Sequence, residues 1–283
     1  RILLCGVATI ALSGCSWMGF GNSHKGHTYN DSTYSYANSN DGCCVGGKAL
    51  SRWNIEGGIG ADYVVGGDAI TGSQAHTTFL NPTTTLVDVK MKDAYAVGYR
   101  AELGGSYALS PNRKLTVQGS YAQADGNEVT WGTQDTATLR GTMSDYKSYG
   151  IEAGVRQYIS PIRVPLLKSV RPYVEGKVGA AYQDAIRLEN INEVGGLANL
   201  GTPTSLAMYE SGWVPTGAGM IGLETPLFNR FTMGIETGIR YAGNPNSDNS
   251  DKAAGSFNAR YSGANNGGER WSVPLTIRGR YRF

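Results

Sequence analysis

Eight stretches of this chain alternate apolar and polar residues with period two, and no other feature limits its fold as tightly. The last is the clearest. From Arg270 to Phe283, Trp271, Val273, Leu275, Ile277, Tyr281 and Phe283 fall on one side, and Arg270, Ser272, Thr276, Arg278, Arg280 and Arg282 on the other. Successive strand residues point to opposite faces, so this is an extended segment with one apolar face. The same pattern begins at Arg52, where Trp53, Ile55, Ile59, Ala61, Tyr63 and Val65 oppose Arg52, Asn54, Glu56 and Asp62. It recurs from Tyr95 to Leu109, Lys114 to Tyr121, Ser148 to Ile159, Val170 to Gln183, Trp213 to Thr225 and Arg230 to Tyr241. The stretch from Trp213 is the least regular, because Pro215 and Met220 blur its alternation. Each segment has the length to cross a bilayer as a tilted strand, which needs roughly 9 to 11 residues, the stretch from Lys114 being the shortest.

The connections alternate too. Ser110-Pro111-Asn112, Ser160 to Ser169 and Pro226 to Asn229 are turns, whereas Gly66 to Lys92, Asp125 to Lys147, Asp184 to Glu210 and Tyr241 to Glu269 are long and polar. Short turns on one side and long loops on the other are the mark of a membrane barrel, and a soluble sandwich has no reason to obey the alternation. The expected fold is therefore all-β, an eight-stranded antiparallel transmembrane β-barrel over residues 50–283. Aromatics near the strand ends, Trp53, Tyr63, Tyr95, Tyr107, Trp213, Trp271 and Tyr281, fit interfacial girdles. Charge segregates by face. Glu56, Arg100, Glu102, Glu152, Arg156, Glu175, Lys177, Glu224, Glu236, Arg240, Arg278 and Arg280 fall on the polar face and the apolar face carries almost none. A barrel of this size has an interior only wide enough for side chains to fill it, which makes these residues a charge network plugging the lumen. A narrow charged channel is the alternative use of the same residues.

Composition agrees with strands rather than helices. The mean hydropathy is -0.29, only 17% of residues are charged, and after the N-terminus no apolar run reaches the length of a spanning helix. A net charge of +2 is too small to argue for nucleic acid. Near the start, Ile2 to Leu12 has the length of a signal-peptide core, and Arg1 is not an initiator Met, so the gene product is expected to begin upstream. Residues 1–14 are read as the signal and 15–49, rich in Ser, Asn, Gly and Tyr, as a flexible tether. Within the tether, Gly42 to Ala49 nearly matches a phosphate-binding loop, but Ala49 has no hydroxyl for a magnesium ion and neither strand nor helix flanks it. Cys43 and Cys44 close a vicinal disulfide, link to another chain or remain two leader thiols; without further ligands they make no metal site.

Three resemblances bear on these readings. Leu12-Ser13-Gly14-Cys15 resembles the lipobox of bacterial lipoproteins, which implies lipidation at Cys15; Ser16 in place of Asp agrees with an outer-membrane destination. The ending Tyr281-Arg282-Phe283 resembles the terminal aromatic signature through which Gram-negative outer-membrane proteins are inserted, making Phe283 the insertion signal. The layout as a whole looks like the small eight-stranded outer-membrane barrels of the OmpA type, without the wall-binding domain that often follows them. These resemblances imply an outer-membrane lipoprotein anchored at its N-terminus, with both barrel ends in the periplasm. Its implied partners are outer-membrane lipids, the barrel insertion machinery and surface or periplasmic proteins. The expected role is structural or in surface interaction, with a solute channel as the alternative. A lipid-modifying enzyme is the weaker alternative, since ester-hydrolysing barrels of this size use His with Ser, and His24, His27 and His76 all lie outside the strands. No catalytic residue, cofactor or metal is expected.

Overall fold

The computed structural model describes residues 52–75, 83–164, 167–195, 202–228, 230–252, 261 and 263–282. The signal and tether, Cys15, Cys43, Cys44 and Phe283 lie outside them. Eight long antiparallel strands form a closed barrel: β1 (Trp53–Gly66), β2 (Gly98–Ser110), β3 (Arg113–Ala124), β4 (Tyr146–Tyr158), β5 (Leu167–Gln183), β6 (Gly212–Phe228), β7 (Phe231–Ala242) and β8 (Arg270–Arg282). Each pairs with its sequence neighbours, and β8 closes on β1 through Ile59 opposite Ile277. Closure leaves no unpaired edge among these strands. A short strand, Ile162–Val164, extends the β4–β5 turn by pairing with the start of β5.

The outer wall of the barrel is apolar and bare. Ile59 and Leu103 are each 69% exposed, and Ile151, Val178, Ile221, Ile239 and Ile277 also face outward. In water such a continuous apolar surface would drive association; in a bilayer it is the lipid contact. Aromatics bound the belt. Toward the turns Trp53 packs on Tyr107 with ring centroids 4.9 Å apart. Toward the loops Tyr121 packs on Tyr149 at 5.1 Å, Tyr182 on Trp213 at 5.9 Å and Tyr241 on Trp271 at 4.8 Å. Trp53 and Tyr63 are ten residues apart on β1, about 33 Å along a strand and about 25 Å along the axis of a barrel tilted by about 40°, the height of an apolar bilayer band.

The connections on the loop side are not loose polar loops, and here the structure corrects the sequence reading. Parts of the first three combine into a second sheet of six short strands, in the order Leu206–Tyr209, Ile186–Val194, Ala137–Met143, Glu128–Gln134, Thr84–Leu86 and Gln74–Ala75. One face of this cap buries Trp131, Leu139, Met143, Ile186, Leu188 and Leu206 together with Ile70 and Met91. Tyr95 is corrected with it. It belongs to no barrel strand, since β2 starts at Gly98, and it lies 3% exposed in the cap core against Tyr146. Burial pushes the phenols of Tyr95 and Tyr209 well above their ordinary pKa, and the Tyr209 hydroxyl donates to the Ala69 carbonyl at 3.0 Å. The fourth connection contributes Tyr261, whose ring lies 5.3 Å from that of Trp131, and Asn265, whose amide donates to the Met208 carbonyl at 2.8 Å.

Candidate functional site: a charged lumen

Alternation fixes what enters the barrel. On β4, Glu152, Arg156 and Tyr158 share a parity and are buried, while Tyr149, Ile151 and Val155 face out. The twelve charged residues named from the sequence are all buried inside, as are Asp62, Lys114 and Arg270 of the same parity. Near the turns Arg156 is the hub. From β4 it reaches Glu56 on β1 at 2.8 Å, Glu175 on β5 at 2.8 Å and Glu224 on β6 at 3.2 Å. Arg280 on β8 joins the same cluster through Glu224 at 2.7 Å and donates to the Tyr158 hydroxyl at 2.5 Å.

Midway along the axis the pairs cross the interior. Arg240 on β7 bonds Glu152 on β4, three strands away round the barrel, and reaches Glu102 on β2, three strands away the other way, at 3.3 Å. Arg278 meets Glu102 at 2.5 Å and donates to the Gln118 side-chain oxygen at 2.7 Å. Lys177 pairs with Glu236 at 3.1 Å. Toward the loops Asp62 lies between Arg100 at 3.3 Å and Arg270 at 3.4 Å, and the Arg270 guanidinium stacks 4.2 Å over Tyr146, which also touches Tyr95 of the cap. Each carboxylate thus faces at least one cation, which is what a group buried away from water requires.

Two aromatic members escaped the sequence reading. Neither Tyr158 nor Tyr173 carries a role in the sequence reading. The Tyr173 ring lies 4.6 Å from the Arg156 guanidinium and its hydroxyl donates to Glu236 at 2.8 Å. Across the strand pair stands Gly222, where an added Cβ would come 2.3 Å from the Tyr173 ring, so the glycine makes the space the ring occupies. The available signal was parity, two residues from Arg156 and from Glu175. Two small cavities lie among these residues. A cavity of about 20 Å³ lies toward the loops among Arg100, Glu152, Arg240 and Arg270, and one of about 10 Å³ lies beside Glu56 and Arg278. These hold a water molecule at most. Among the described residues no group of three or more His, Cys, Asp or Glu is placed to hold a metal ion.

No protein-family profile and no curated protein matches the chain. Among solved structures it is similar to Neisserial surface protein A, at 11% identity over 83% of this chain and 100% of that one, with a TM-score of 0.41. It is also similar to Ail, the attachment invasion locus protein of Yersinia pestis, at 15% identity over 82% and 99%, with a TM-score of 0.34. A third is the outer membrane protease OmpT of Escherichia coli, at 8% identity over 84% and 99%, with a TM-score of 0.36. Likenesses this distant add nothing to what the strand register and the two faces of the wall already give.

Proposed function

We propose that this chain is an outer-membrane β-barrel that serves as a closed anchor and presents the folded cap at the cell surface for structural support or partner binding. The observation that carries the reading is the inversion of the barrel, apolar outside and charged inside, with ion pairs such as Arg240 to Glu152 spanning the interior. Such an interior blocks passage of solute. The chain is further read as a lipoprotein held at Cys15, with both barrel ends in the periplasm and Phe283 presented to the insertion machinery. Placing both termini on the turn side is what β1 and β8 require if the cap faces out. The role is non-catalytic on this reading, because the lumen carboxylates are engaged by cations rather than paired with a nucleophile.

The test is in three parts. The refolded protein is expected to change gel mobility on boiling and to show single-channel conductance at background in planar bilayers; stepwise conductance would replace the anchor with a channel. Cys15→Ala is expected to abolish incorporation of labelled palmitate while the barrel still folds. A deletion strain is expected to keep its lipid A and phospholipid mass spectra, and an altered species there would point to an enzyme.

A further inference from the structure

The two ends of the barrel differ in charge. At the turn end, Arg113 on the β2–β3 turn, Arg230 on the β6–β7 turn and Arg52 just before β1 are exposed, and Arg171 and Arg282 lie partly exposed at the same level. A cation therefore stands at the β2–β3 and β6–β7 turns and at both termini of the barrel, and Arg171 near the start of β5 leans onto the β2–β3 turn. The carboxylates of this end, Glu56, Glu175 and Glu224, are all buried in the lumen, and among the described residues Arg52, Arg113 and Arg230 make no ion pair. The loop end is mixed and richer in acids, with Asp88, Asp93, Asp125, Glu128, Asp135 and Glu210 exposed beside Lys90, Lys92 and Arg140. Depth supplies a second observation. Arg52 precedes Trp53, Arg113 lies two residues from the outward Leu115, and Arg230 adjoins Phe231, next to the 74% exposed Phe228. The arginines thus stand at the boundary of the apolar belt, where a bilayer has its phosphates.

We propose that this ring binds anionic phospholipid headgroups of the leaflet at the turn end, an inference that rests on the membrane-spanning reading above. A guanidinium offers a planar fork of donors to a phosphate, and part of the ring is held in place: the Arg113 Nε donates to Gln157 at 3.1 Å and Arg171 donates to the Pro111 carbonyl at 3.1 Å. With no exposed acid beside it among the described residues, the rim attracts lipids carrying net negative charge over zwitterionic ones.

The experiment uses the full chain refolded in detergent, with heat-modifiable mobility checked first so that failure of the barrel itself shows before any lipid is added. Native mass spectrometry then follows titration with phosphatidylglycerol and with phosphatidylcholine of the same acyl chains. The wild type is expected to retain phosphatidylglycerol preferentially. In the triple variant Arg52→Gln, Arg113→Gln, Arg230→Gln that affinity should fall on the order of a hundred-fold, since each arginine near an anionic surface contributes about five-fold. Arg230→Gln alone, on a turn tip, is expected to show a several-fold loss, and the loop-end pair Lys92→Gln, Arg140→Gln none. Equal retention of both lipids by the wild type would overturn the proposal. So would an unchanged preference in the triple variant, an equal loss in the loop-end control, or displacement of the lipid by inorganic phosphate at the same concentration.

Discussion

Arg156 is wholly enclosed, and three carboxylates on three other strands depend on it. Replacing it with Met removes the cation and leaves Glu56, Glu175 and Glu224 short of a partner, a loss of about 3–5 kcal/mol for a broken buried pair. The expected outcome is a lower urea midpoint for loss of the heat-modifiable band, and an unchanged midpoint would deny the hub its role. Gly222→Val should also destabilise, by about 1–3 kcal/mol of overpacking against Tyr173, and a compensating Tyr173→Ala in the same chain should relieve part of it in the same titration. The charged members of the lumen were legible because a charge on the lipid face is so costly that parity alone assigns it. Tyr158 and Tyr173 were not, since an aromatic ring near a strand end suits the girdle and the interior equally, and only parity with Arg156 and Glu175 separates the two.

At the scale of elements, barrel strands and cap strands speak with different clarity. The sixth segment looked irregular because Pro215 and Met220 interrupt it, yet β6 runs from Gly212 to Phe228 with Met220 buried inside and Pro215 outside, in register with β5 and β7. Closure of the barrel supplies partners on both sides and overrides the local blur. The cap was missed for the opposite reason. Val129 and Trp131, or Ile186 and Leu188, do alternate, but in stretches of 7 and 9 residues separated by whole barrel strands, and no local signal says that connections so far apart in sequence share a sheet. Trp131→Ala is expected to cost the cap about 3–5 kcal/mol. Limited proteolysis should then cut between Ala124 and Tyr146 while the barrel keeps its heat-modifiable mobility; loss of both together would mean that cap and barrel fold as one unit.

The described barrel is an apolar cylinder around a charged axis, closed at one end by a folded cap and ringed at the other by arginines. Its outer wall makes a prediction that the interior does not. Ile59→Arg, near the middle of the belt, should cost about 2–4 kcal/mol for folding into vesicles, whereas Tyr63→Arg at the girdle should cost less than half of that, both read from urea titrations in lipid. Equal costs would place the bilayer elsewhere on the wall. The cap carries a further consequence, for the order of assembly. Its strands come from three separate connections, so on the orientation proposed above the sheet is completed only once the barrel strands on either side have carried each connection across the membrane. Insertion must therefore precede cap formation, and the long sequence separations within that sheet make it the slow step. During refolding into vesicles, burial of Trp131 should lag behind the appearance of β signal from the barrel, and a chain stalled between the two steps would already be anchored but would not yet display its surface.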